Sequence, residues 1–188
     1  MNIQESKILN SILYFADKSD TKTITRLKLM KLLWLSDRLH LNKYGRLILN
    51  DRYKALPNGP VASKALAMSK HNIDAVYRVS GRDITAIAKP DLDYFSKSDL
   101  EVMDYIWNKF NQDSPWFLRE LSHQFPEWKR FEKELSDKNS PNAYDMVIQD
   151  FFLSADVEKF TDILDDETIA LSKEQFNIHS SIQSALKN

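Results

Sequence analysis

The sequence predicts a mainly α (α+β) fold: a helical bundle around a central hydrophobic helix, with a small inserted two- or three-stranded antiparallel β element. Three observations carry that prediction. At 100° per residue, the apolar side chains of Thr25–Tyr44 cover most of the helical circumference, so other elements must wrap this segment. Most other stretches repeat apolar residues with helical spacing. Good strand formers gather in only two places, Arg52–Leu56 and Val76–Ala88, each beside turn residues.

In chain order, Gln4–Lys18 places Ile8, Leu9, Ile12, Leu13 and Phe15 at helical spacing and reads as an amphipathic first helix closed by Ser19-Asp20. In the central helix, Leu29, Met30, Leu33, Trp34 and Leu41 share one arc, and Leu32, Leu35 and Leu39 the next. A strip through Lys28, Lys31, Arg38 and Asn42 is expected to be solvated. Thr25 is the expected N-cap and Gly45 the expected left-handed stop. Arg52–Leu56 reads as extended, and Pro57-Asn58-Gly59-Pro60 as a turn: the prolines fix φ, and Gly59 allows positive φ. Pro60 then suits the start of a third helix, Val61–Ser69.

Val76–Ala88 reads as a hairpin turning at Ser80-Gly81-Arg82-Asp83. A lone hairpin is marginal, so it is expected to pair with Arg52–Leu56. Ser98 and Glu101 have capping-box spacing ahead of a helix through Met103, Ile106, Trp107 and Phe110. Ser114-Pro115 opens another, Trp128–Leu135 a short one, and Ser140-Pro141 precedes an expected helix over Tyr144–Leu153. The tail, Ala155–Asn188, has weak periodicity through Val157, Phe160, Ile163 and Leu164. It predicts one or two more helices with a frayed end.

Composition excludes several function classes. Without cysteine, the chain cannot use disulfides, iron–sulfur clusters or a thiolate nucleophile. Three glycines, widely separated, do not make a phosphate-cradling loop or a dinucleotide-binding turn. No window suggests a signal peptide or a membrane span, and a cytoplasmic protein is expected. The net charge of -1 is unevenly distributed: residues 1–91 hold 16 basic and 8 acidic residues, and 92–188 hold 10 and 19. The halves are expected to neutralise each other on packing. A basic face for nucleic acid is the alternative, but the dispersed basic residues and the lack of a helix-turn-helix argue against DNA as a partner.

Three polar groups fall within the apolar arc of the central helix: Asp37, His40 and Tyr44, spaced so that their side chains can touch. With the distant His123 they are the best candidate site. They read first as a structural hydrogen-bonded network, because buried polar groups need partners. A metal or acid–base site is the alternative, although no metal-binding spacing such as H-E-x-x-H occurs, and neither a metal nor a cofactor is expected. No G-x-S-x-G supports serine hydrolysis. Trp34 and Trp107 lie on apolar faces and read as core. Trp116 and Trp128 flank helix starts, where partly exposed rings suit a protein-binding hot spot.

The pieces Lys28–Leu33, Asp37–Leu41, Tyr44-Gly45, Tyr53-x-Ala55 and Gly59-Pro60-Val61 with Ser63, followed by Leu121-Ser122-His123 and Trp128, together resemble the Panacea domain, the SocA-like antitoxin domain. Ser122 stands where the family usually has threonine. The resemblance implies a Panacea domain over 1–138; residues 139–188, which the resemblance does not cover, are expected to form a C-terminal helical extension packed on it or trailing from it. It implies a bacterial or phage antitoxin that neutralises a cognate toxin protein by direct binding. The alternatives are an adaptor delivering a client to a Clp-type protease, or a small metal-dependent or acid–base enzyme. Candidate partner-binding residues are Tyr53, Asn58, Gly59, Pro60, Val61, Trp116 and Trp128. The sequence leaves the oligomeric state open.

Overall fold

The computed structural model describes residues 1–155, 157, 160 and 164–185, with the side chains of 183 and 184 set aside. Among these residues the architecture is mixed α+β, with eight α-helices and two three-stranded antiparallel sheets, so the chain is not all-α.

Helix α1 (Ile3–Asp17) starts at a reciprocal capping box between Asn2 and Glu5. Strand β1 (Thr23–Thr25) leads into α2 (Arg26–Tyr44), where the Thr25 hydroxyl accepts from the Lys28 N–H and caps the helix. Gly45 ends α2 at φ 66°. Helix α2 is buried from Leu29 to Asn42. It packs against α1, α4 (Lys97–Phe110), α5 (Pro115–Ser122) and α8 (Asp166–Ala185), and against strand β3 (Gly59–Ala62). The strip expected to face water does not. Lys31, Arg38 and Asn42 are buried, and Lys28 is half-buried with its ammonium on the Asn111 and Asp113 carbonyls. An apolar circumference demands cover on all sides, and that cover closes over the polar strip too.

The two β segments form separate sheets. Strands β4 (Tyr77–Ser80) and β5 (Asp83–Ala86) make the expected hairpin, but β5 pairs with β1 and not with residues 52–56. β2 (Tyr53–Leu56) pairs with β3 and with β6 (Tyr144–Asp145). β3 takes the residues assigned to the start of the third helix, so α3 is only Ser63–Met68. Its first N–H groups are capped by Asp51, whose carboxylate accepts from Lys64 and Ala65. In α4 the capping box is Ser96 with Asp99, two residues before the expected pair.

After α6 (Pro126–Lys129) and α7 (Glu132–Ser136) the expected helix over 144–153 is absent. Tyr144 and Asp145 are in β6, and Ile148–Phe152 is a 3-10 turn that places Phe151 and Phe152 in the core. Tail residue Ile163 lies outside the described residues. Helix α8 runs across the end of α2, so closely that a Cβ on Gly45 would lie 2.7 Å from the Ser172 carbonyl.

Gly45→Ala should therefore lower stability by about 2 kcal/mol through both positive φ and this contact, measured by urea unfolding. An unchanged midpoint would mean that α8 does not sit against Gly45.

Candidate functional site

Asp37 is fully buried near the middle of α2. Its Oδ1 accepts the Ile48 and Leu49 N–H groups at 2.6 and 3.0 Å, and Oδ2 accepts the Tyr53 hydroxyl at 2.7 Å. One carboxylate thus holds the chain after Gly45 and the start of β2 against the helix. Burial pushes its pKa up to about 6, against these three bonds and the nearby His40, which favour the anion.

His40 lies one turn on and does not hydrogen-bond Asp37. Its Nδ1 is 2.8 Å from the Arg46 carbonyl, and Nε2 is 3.2 Å from both Ser98 Oγ and Asp99 Oδ1. Asp99 is fully buried and also takes Lys7 Nζ at 2.6 Å and Arg46 Nη2 at 2.9 Å. Burial disfavours its charge, but the His40 and Lys7 hydrogen bonds and the Ser96 N–H outweigh this and hold the carboxyl well below the usual carboxylate range. Tyr44 packs its ring 4.8 Å from that of His40 and donates its hydroxyl to Glu101 at 2.9 Å.

His123 is not part of this cluster. It follows α5 and stacks on Trp128, with ring centroids 3.7 Å apart and planes 7° apart. Burial, with the Arg119 charge adding to it, lowers its pKa to about 4. The ring belongs to a second cluster around the β2–β3 turn. There the Trp128 indole donates to the Leu56 carbonyl, and Arg119 donates to Asn58 Oδ1 and to the Pro57 carbonyl. Lys31, fully buried, donates to the Pro60 carbonyl at 2.9 Å. Burial pushes its amine well below the ordinary range, and Arg119 adds to this. Gly59, at φ 92°, fits only because it lacks a side chain: a Cβ would fall on Ser122 Oγ and within 2.5 Å of Lys31 Nζ.

These placements sort the candidate partner-binding residues. Tyr53, Gly59, Pro60 and Trp128 are buried by contacts within the fold. Asn58, Val61 and Trp116 line an open groove of about 310 Å³ between the β2–β3 turn and the start of α2. Arg26, Leu27, Met30, Leu56, Pro57, Leu66 and Arg82 complete it. Trp116 is 58% exposed there. Sequence reasoning passed over Lys31, Arg26, Arg82, Arg119 and Asp99. The signal for Lys31 was its own helix: on a segment apolar all round, a lysine is enclosed with the rest. The others sit at sites defined only when distant segments meet.

Among the described residues no group of three or more His, Asp or Glu side chains is placed to hold a metal, and no helix is long and apolar enough to cross a membrane. The family model described as antitoxin SocA-like, Panacea domain, matches residues 29–129, more than half of the 188-residue chain. The chain belongs to the SocA-like Panacea-domain family. Searches of curated proteins and of solved structures gave no match. The Panacea match runs from the first turn of α2 to the end of α6, and so includes both polar clusters and most of the groove. Lys7 of α1 reaches into the matched segment from outside it.

Two predictions test these clusters. Asp37 holds its proton more tightly folded than unfolded. Its favourable contribution is complete below the unfolded value, about 4, and declines as pH rises through about 6. Asp99 has the opposite sign: its contribution is complete above about pH 4 and is lost on further acidification. Urea unfolding across pH should show Asp37→Asn removing the first slope and Asp99→Asn the second; unchanged slopes would refute the assignments. Gly59→Ala should cost at least about 2 kcal/mol, because both φ and the fully buried Lys31 resist the new methyl. A melting temperature equal to wild type would refute the close approach.

Proposed function

We propose that this protein is an antitoxin that neutralises a cognate toxin by direct protein–protein contact, and that it acts by binding and not by catalysis. The carrying observation is the family match, which spans the segment from α2 to α6. The geometry supports a binding role. Asp37, His40 and Tyr44 engage backbone and side-chain groups of the fold, and His123 is stacked on Trp128 in a different cluster, so the four do not converge on a common cleft. We read the helices packed round α2 as a bundle that serves as a rigid scaffold. On that scaffold Trp116 and the arginine-bearing groove are open to a partner. We take the toxin and its antitoxin to act in the cytoplasm, and residues 139–188 to act as an extension that covers α2.

The adaptor role is a second reading, favoured by one observation. Leu171, Ile178 and Ile182 are exposed on α8 and fall on one face of that helix, a stripe suited to a protease or a client.

Expression of the reading frame adjacent to this gene, alone and together with this protein, tests both. Toxicity that the pair relieves, with the two proteins co-purifying and toxin levels unchanged, is the expected result. Relief accompanied by Clp-dependent loss of the toxin would move the conclusion to the adaptor. A harmless neighbour that does not co-purify would overturn the antitoxin reading.

A further inference from the structure

The groove beside Trp116 has an apolar floor and a cationic rim. Met30 and Val61 lie buried beneath it, Leu27, Leu56 and Leu66 are half-buried along it, and the exposed Trp116 ring forms one wall. No carboxylate lines it, but two arginines do. Arg26 is fixed in place, with Nε on the Ser69 carbonyl at 3.0 Å and Nη2 on the Gly81 carbonyl at 3.2 Å. Arg82 is exposed, and its guanidinium makes no hydrogen bond or ion pair among the described residues. Of the nearby acids, Glu120 is paired with Arg119 and Asp83 lies outside the groove.

Resting on the antitoxin reading, we propose that this groove is the toxin-docking site. It takes a bulky apolar side chain of the toxin that has an aspartate or glutamate next to it in sequence. The apolar side chain fills the floor against Trp116, and the carboxylate lies across Arg82 and Arg26. Charge complementarity selects this occupant. A basic or uncharged segment would leave two guanidinium groups facing an apolar contact without a counter-charge, whereas a carboxylate pairs with a guanidinium through parallel hydrogen bonds. A volume of about 310 Å³ matches the lower end of ligand pockets and admits one or two large side chains. Tryptophan and arginine are also the residue types that dominate binding at protein interfaces, with an apolar centre ringed by charge.

The test measures binding of the co-encoded toxin to full-length protein carrying Trp116→Ala, Trp116→Phe or Arg82→Glu, each checked for an unchanged melting temperature. Trp116→Ala should weaken binding by about thirtyfold, and Trp116→Phe should keep most of it. Arg82→Glu should slow association by about tenfold, a gap that narrows at high salt. A parallel set of labelled twelve-residue peptides, each with a central tryptophan or leucine flanked by Asp/Glu, by Lys or by Ser, should bind in that order. If the toxin binds wild type and all three variants equally, the groove proposal fails and the antitoxin reading stands. If the toxin neither binds nor is neutralised by wild type, that reading fails as well. Self-association of the wild type that Trp116→Ala abolishes would assign the groove to a second copy and overturn the proposal.

Discussion

Helix α2 buries six polar side chains, and five of them bond to a group outside the helix. Asp37 holds the backbone of residues 48–49 and the Tyr53 hydroxyl. His40 meets the Arg46 carbonyl and the start of α4. Arg38 pairs with Glu127 of α6 at 2.8 Å and donates to the Leu153 carbonyl, and Asn42 donates to the Phe151 carbonyl. Lys31 holds the Pro60 carbonyl. The segments around α2 are therefore fixed by hydrogen bonds and ion pairs radiating from one rod. Burying such groups unpaired costs several kcal/mol for a charge, so an arrangement that misplaces any of these segments is disfavoured at once.

The same constraint positions the groove. Arg119, Trp128 and Lys31 grip the β2–β3 turn from three helices, and Gly59 allows the lysine to pass beneath it. Arg26 fastens the β4–β5 turn to α3 through the Gly81 and Ser69 carbonyls. The two turns that flank the groove are thus held before any partner arrives. A pre-organised binding surface loses little conformational entropy on association. The Arg38 guanidinium also lies 4.6 Å from the Phe125 ring, which extends this rigid region into the core.

Charge follows the same pattern. The basic excess of the first 91 residues is not a free surface field, since much of it is consumed internally. Lys7 and Arg46 meet Asp99, Lys43 meets Glu101, Lys18 meets Asp104, and Lys54 meets Asp145. Each joins the basic first half to the acidic second half, so neutralisation between halves is built into the packing. Among the groove residues, Arg82 remains unpaired against this background.

The sequence alone determined the long helix and its caps at Thr25 and Gly45, the hairpin over 76–88, a turn at Pro57-Asn58 (though not that Gly59 and Pro60 already belong to β3) and the family. These depend on local periodicity, on φ restrictions at proline and glycine, and on short motifs that follow one another in order along the chain. Only the tertiary structure decided which strands pair, that 144–153 is extended and 3-10, that Lys31 and Arg38 are interior, and that His123 stands apart from His40. Each of these is a contest between distant segments. β1 pairs with β5, a segment far along the chain that no local pattern in β1 points to. A polar residue on a helix surrounded on every side goes inside when a carbonyl or carboxylate waits there, and no local pattern records where that partner lies.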